Sequence, residues 1–337
     1  MQKVWIWKLM VLCVLFLASN GLSSSVQLKK GLKDAMLDLK LKREQAGFAV
    51  LTNAGYVAPR GLPTHWAVDV IQEVTGATLG KGNLLFFHKP MDCPLKVALM
   101  KREDGQMICL TFDGEVLARV KVNISPNGFL SDDKWTEIEN ALGTDAFSLV
   151  SILWGWALEA PWGLLKAAEF HNHLCPGLVA GYFLVDFIRK RYWSSGGESF
   201  AFIACPPWCK DDAIQILLDL TPGKKSFYVV ELSEAQRRSL IDPNVAGILL
   251  ISDKERRRGK AVILKFDWQK AYDLVGLRPG SKSIADRLRL MKGLLAHLSD
   301  PPEMVSVIKE VELSGDVLKE LIEAGVNPYE RLGLVSR

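Results

Sequence analysis

Charge of one sign is what this 337-residue chain has little of: 42 Lys and Arg stand against 38 Asp and Glu, leaving +4. So small an excess supplies no polyanion-binding surface, and nucleic acid is set aside as a partner on that ground. The basic runs Lys40–Arg43 and Lys254–Lys260 read as solvated faces. Long hydrophobic runs are missing too. The apolar stretches Leu9–Ala18 and Leu149–Leu158 are each roughly half the length of about 20 residues that a bilayer span needs. There is no Ser-His-Asp order, no HExxH, no dinucleotide fingerprint and no paired CxxC, which removes the enzyme classes those patterns mark. Histidine and cysteine are scarce, at five and six, so their placement carries information.

Two of the histidines and one cysteine fall together in Phe170-His171-Asn172-His173-Leu174-Cys175-Pro176-Gly177. If this segment is extended, His171, His173 and Cys175 share one side. Two imidazoles and a thiol are soft donors suited to a divalent transition metal, zinc foremost, with a fourth ligand to come from elsewhere. Pro176 fits the first turn of a helix through the apolar run Leu178–Arg189. That places Cys175 at a helix N-terminus, where the helix dipole favours a thiolate. The bland alternative is three separate packing or surface side chains.

The N-terminus has the order of a secretory signal: Lys3 and Lys8, the apolar core Leu9–Ala18, then the small-residue stretch Ser19–Ser25. Residues 1–25 are therefore expected to be a signal peptide or a retained N-terminal anchor. The protein is expected to be exported, periplasmic or extracellular, and tethered if the anchor stays. The mature chain would keep Cys93, Cys109, Cys175, Cys205 and Cys209. An odd number in an oxidising compartment leaves one free, metal-bound or paired between chains.

Along the chain, residues 28 to 46 read as an amphipathic helix and Phe48–Leu51 as a strand. A helix follows in Trp66–Thr75, ended by Gly76, and then strands at Leu84–Phe87, Val97–Met100 and Met107–Phe112. The plan recurs. After the Pro176 helix come the strand Phe200–Ala204, the loop Cys205–Trp208 and a helix from Cys209. At a constant offset Asp69 matches Asp212, Gln72 matches Gln215, Thr78 matches Thr221 and Lys81 matches Lys224. Phe112-Asp113 likewise coincides with Phe266-Asp267. This reads as a tandem duplication of one α+β unit. The turn Thr78–Asn83 resembles a phosphate cradle only loosely, and a tight helix-to-strand turn is the expected role. Between the copies, Leu149–Leu158 reads as a buried connecting helix, with Trp154, Trp156 and Trp162 leading toward the His/Cys stretch as packing or as an apolar pocket wall. After residue 280, helices are expected at Ile284–Leu298, Pro302–Leu313 and Val317–Ala324.

The stretch FHNHLCPGLVAGY resembles the signature of the FmdE family, which takes its name from the operon of formylmethanofuran dehydrogenase, a molybdenum or tungsten enzyme. Asn172 stands where that family has glycine, and Phe183 where arginine is common. A second family motif, with a cysteine, the helix of Asp212 and Gln215, and the Thr-Gly-Lys turn, is similar to the segments from Cys209 and, without its cysteine, from Trp66. The resemblance implies a place in metal- or pterin-dependent metabolism. The cysteine-rich zinc ribbon carried by some members is absent here.

Taken together, the expectation is an α+β protein of two tandem units with helices on mainly antiparallel sheets. A degenerate unit occupies 28–142, a helical linker 143–170, the unit with the His/Cys site 171–275, and a helical extension 276–337. The metal site is His171, His173, Cys175 and Cys209. Cys205 is the alternate fourth ligand, and Asp212, one turn after Cys209, is placed to orient a histidine. Both cysteine motifs occur in one copy and are missing together from the other. Two rival functions stand beside metal handling: thiol–disulfide chemistry between Cys175 and Cys209, and a small-ligand-binding module without catalysis. Expected partners are a metal or small ligand, a transporter or metalloenzyme that receives it, and the two units against each other as an internal pseudo-dimer.

Overall fold

A computed structural model describes residues 24–113, 116–128, 131–193, 196–253, 258–300 and 303–335. Most of the expected signal segment lies outside these residues. Among the described residues no helix is long and apolar enough to cross a membrane. The chain divides into two units, one ending at Glu159 and one beginning at Ala160. The division falls inside the segment expected as a linker.

The first unit opens with helix α1 over residues 24–38. This helix stops short of the expected residue 46, since Lys40 takes a left-handed backbone, φ 54°. Then follow β1 (Phe48–Thr52), α2 (Trp66–Thr75), β2 (Leu84–Phe86), β3 (Leu95–Lys101), β4 (Gln106–Asp113), β5 (Val116–Asn123), α3 (Asp132–Leu142) and α4 (Ala146–Ala157). The sheet order is β2-β1-β3-β4-β5, with β1 and β2 parallel and the other neighbours antiparallel. Phe48, Val50, Leu99, Ile108 and Phe112 turn to the face covered by α1 and α2, as the period of two in a strand requires. Trp154 and Trp156 are buried in this unit. The Trp154 indole donates to the Ile124 carbonyl at 2.5 Å, and the Arg102 guanidinium lies over Trp156 at 4.2 Å. Both are packing residues.

The second unit runs α5 (Trp162–His171), α6 (Pro176–Arg191), β6 (Ser199–Ala204), α7 (Lys210–Leu217), β7 (Phe227–Val229), α8 (Glu234–Arg238), β8 (Val245–Asp253), β9 (Arg258–Phe266), α9 (Trp268–Asp273), α10 (Ile284–Leu295), β10 (Val305–Ser314), α11 (Gly315–Glu320) and α12 (Pro328–Arg331). Its sheet order is β7-β6-β8-β9-β10, again with one parallel pair, β6 and β7. The C-terminal region is helical at α10, α11 and α12, but 305–314 is a strand where a helix was expected. Val305, Val307 and Val311 make the segment β-branched, and it pairs along the whole of β9, whose edge would otherwise be open.

The two sheets agree in register as well as in order. Val50 faces Leu84 and Leu99, and Leu99 faces Ile108. Phe202 faces Phe227 and Leu249, and Leu249 faces Val262. Four residues on from Ile108 and Val262 stand Phe112 and Phe266, so the sequence match between them is also a match of position. The helix-to-strand turns are alike too. The Lys81 amide donates to Thr78 Oγ1 at 3.2 Å and the Lys224 amide to Thr221 Oγ1 at 3.3 Å. The Thr78 amide donates to the Asn83 side chain and the Thr221 amide to the Ser226 side chain. The threonine hydroxyls are spent inside the turns, which fits the turn reading and leaves little for an anion.

The site-bearing unit depends on how closely α6 and α7 meet. A methyl group at Gly181 would lie 2.3 Å from the Lys210 carbonyl oxygen, and one at Gly177 would lie 2.9 Å from Cys209 Cβ. Small residues four apart let one helix lie against the other's backbone. The Gly181→Ala substitution is therefore expected to lower stability by about 1–3 kcal/mol, the usual cost of overpacking a tight contact. Urea unfolding of the purified variant checks this, and an unchanged midpoint would contradict the contact.

Candidate metal centre

The His/Cys stretch is not extended. His171 is the last residue of α5, Asn172 follows in the left-handed region at φ 66°, and Cys175 is the N-cap of α6. The apolar residues Leu164, Leu165, Ala167 and Ala168 carry the helix down to His171. The left-handed step at Asn172 then reverses the chain so that His173 and Cys175 come back beside His171. Glycine takes such a backbone freely and asparagine tolerates it better than other side chains, which accounts for Asn172 where the resembling proteins have glycine. Pro176 opens α6 as expected, and the Cys175 sulfur accepts from the Leu178 amide at 3.4 Å.

Cys209 reaches the same place from α7, where it is the residue before the first turn. The donor atoms of His171, His173, Cys175 and Cys209 all lie within 4.8 Å of one another. The Cys175 sulfur stands 3.8 Å from His171 Nε2, and the two imidazole centroids are 4.2 Å apart. A zinc tetrahedron with Zn–S of about 2.3 Å and Zn–N of about 2.0–2.1 Å has edges of about 3.3–3.8 Å. Two nitrogens and two sulfurs this close therefore fit a metal of that size after small side-chain movements. The positive ends of α6 and α7 both point to the sulfurs and favour thiolate ligands.

Asp212 stands where the sequence places it. Its Oδ2 is 2.6 Å from His171 Nδ1. This contact fixes the ring and leaves Nε2 for a metal, the usual arrangement of an outer carboxylate behind a histidine ligand. Burial acts to lower the His171 pKa, but the hydrogen bonds to Asp212 and Cys209 outweigh it and raise it to about 9. Of the two thiols, Cys209 is the one held well below its ordinary value. The hydrogen bond from Cys175 is the largest cause, and it prevails with those of His171 and His173 over burial. Cys175 moves up, through that same hydrogen bond to Cys209 and then through burial. The expectation of a low Cys175 pKa is thus corrected. Of the two, the more deeply buried Cys175 is the one that favours its proton.

Cys205, the alternate ligand, is not in the group of four. It is fully buried among Ile203, Leu232, Val245 and Tyr329, and burial pushes its thiol up to about 12. The loop from Cys205 to Cys209 is held by a buried pair. Lys210 Nζ lies 2.8 Å from both Asp211 oxygens and 3.0 Å from the Pro206 carbonyl, and Asp211 accepts from the Trp208 amide at 2.6 Å. Burial lowers the Lys210 pKa and raises that of Asp211, so this pair positions Trp208 and Cys209 at a desolvation cost.

Sequence reading did not single out the surroundings of the donors. His173, Cys175 and Cys209 line a cavity of ≈ 250 Å³ whose aromatic side is Trp208, Trp268 and Tyr272. Packing was the first expectation for Trp154, Trp156 and Trp162, with a pocket wall as the alternative; Trp162, the one that belongs to this unit, is not among the lining residues. A signal existed: Trp268 directly follows Phe266-Asp267, where the sequence has Gly114 after the matching Phe112-Asp113.

Residues 170–283 match the family model of FmdE, described as molybdenum formylmethanofuran dehydrogenase operon. The matched range begins at the His/Cys turn, includes α7 with Cys209 and Asp212, and ends just before α10. The second unit therefore carries an FmdE-family segment. No curated protein matches the chain.

Metal binding must displace the proton from His171. Apparent zinc affinity is expected to rise with pH by about tenfold per unit for each proton released; the part due to His171 ends at about 9, and the part due to Cys175, whose thiol the hydrogen bond to Cys209 and burial push up, continues above it. The Asp212→Asn variant should lose about 10–100-fold in affinity. Its affinity should also depend less steeply on pH, since of the two groups that hold a proton on His171 only Cys209 then remains. Competition titration with a chromogenic chelator measures both. Equal affinities at every pH would contradict the role given to Asp212.

Proposed function

We propose that this chain binds a divalent transition metal, zinc foremost, through His171, His173, Cys175 and Cys209. The observation that carries the reading is the convergence of four soft donors from two separate segments, with Asp212 behind one of them. Four protein donors fill a tetrahedron, which suits holding and passing on a metal or metal cofactor better than activating a bound water. The first 25 residues support an exported protein, so a transporter or an extracytoplasmic metalloenzyme is the proposed recipient. The shared registers of the two sheets support the reading of a tandem duplication in which, among the described residues, the first copy carries no such site.

The second reading is thiol–disulfide chemistry, favoured by the Cys175 and Cys209 sulfurs lying within 4.8 Å of each other. One experiment separates the two. The protein is purified without chelator, its metals are counted by mass spectrometry, and its free thiols are assayed before and after metal removal. About one metal per chain is expected, lost in His173→Ala and Cys175→Ala, with both thiols reactive only after removal. A metal-free chain with Cys175 joined to Cys209 would overturn the metal reading in favour of the redox one.

A further inference from the structure

The cavity beside the donors has a chemistry of its own. Trp208 and Trp268 meet edge to face at 4.9 Å and 62°, and Trp268 is backed by Phe266 at 4.6 Å. Trp208 is 53% exposed although the loop beneath it is held by the buried Lys210–Asp211 pair. A half-bare indole on a fixed loop is a ready face for a planar ring.

The far wall carries Ser281, Asp286 and Arg287. Asp286 is already engaged, by the Ser281 hydroxyl at 2.6 Å and by Arg289 at 3.2 Å. The positive charge on this wall is the Arg287 guanidinium, which has an interaction of its own and whose five donors can serve a carboxylate alongside it. The donors that line the floor are neutral when loaded, because two thiolates balance a divalent cation and the imidazoles add nothing; the Asp212 carboxylate lies behind His171 and is not among the lining residues.

Size narrows the class further. Pockets for small molecules commonly run to about 300–1,000 Å³, and this one holds ≈ 250 Å³. That admits a single ring or a fused pair and excludes a dinucleotide or a tetrapyrrole. Asp286 and Arg287 stand on α10, beyond the matched residues 170–283, so the charged wall comes from outside the family segment.

We infer that this cavity binds a small planar aromatic carboxylate. Its ring lies against Trp208 and Trp268, and its carboxylate meets Arg287. The inference rests on the metal reading above, since a loaded metal keeps the floor neutral.

The test uses the full chain loaded with zinc, its metal content assayed on the same sample. Benzoate is titrated while tryptophan fluorescence and heat are followed. Benzamide, which keeps the ring without the charge, and cyclohexanecarboxylate, which keeps the charge without the ring, serve as controls. Benzoate should bind saturably, and about tenfold or more tighter than either control. Arg287→Gln should weaken benzoate by about tenfold while leaving benzamide unchanged. Trp208→Ala, at a site exposed enough to spare the fold, should weaken benzoate and benzamide alike. Absent saturable binding, equal binding of all three probes, or benzoate binding indifferent to Arg287→Gln would each overturn the inference. A chain that fails to take up zinc shows itself in the metal assay and counts against the metal reading. A zinc-loaded chain that ignores benzoate counts against the pocket alone.

Discussion

The close approach of α6 to α7 is the constraint on which the rest of the second unit depends. Cys175 and Cys209 lie far apart in sequence, and each caps a different helix. Their sulfurs meet only because Gly177 and Gly181 let the backbone of one helix sit against the start of the other. The same contact directs two positive helix ends at the sulfurs. It also brings Asp212, on the first turn of α7, within reach of His171 at the end of α5. Packing, electrostatics and ligand geometry here are consequences of two missing methyl groups.

The two units share strand order, one parallel pair, hydrogen-bond register and the threonine-held turn. What differs lies at the helix ends and the connecting loops. Trp66 opens α2 in the first unit at the place where Cys209 precedes α7 in the second. Phe112 and Phe266 hold the same sheet position, but only Phe266 is followed by a tryptophan that faces a cavity. A common scaffold thus bears a donor cluster in one case and an ordinary core in the other. Substitutions at a few helix-terminal positions are enough to make that difference, because such positions aim side chains without disturbing the sheet.

Much of this was legible in the sequence, and for physical reasons. Pro176 announced the helix and made Cys175 its cap. The constant spacing from Asp69 to Asp212 marked equivalent helices. The two cysteine motifs, both in the second unit, pointed to the group of four that the fold brings together. The path of the backbone through the donors was not legible, because alternation in His171–Cys175 suits a strand and the left-handed step at Asn172 leaves no periodic trace. The strand β10 was hidden for a related reason. Its pairing with β9 is a long-range contact, and the charges of Lys309, Glu310 and Glu312 along an exposed edge look like a helix surface. Cys205 was hard to separate from Cys209 by spacing; the fold distinguishes the two by leaving Cys205 out of the group of four and burying it fully. The aromatic side of the cavity is assembled from α9 and from the loop before α7, which no local pattern joins.

The central claim is that two histidines and two cysteines from this one unit hold a single metal. X-ray absorption spectroscopy of the zinc-loaded chain tests it most directly, because the fine structure reports donor type and distance at the metal itself. The account predicts two sulfurs at about 2.3 Å and two nitrogens at about 2.0–2.1 Å. A shell of oxygen and nitrogen alone, with no sulfur scattering, would contradict it.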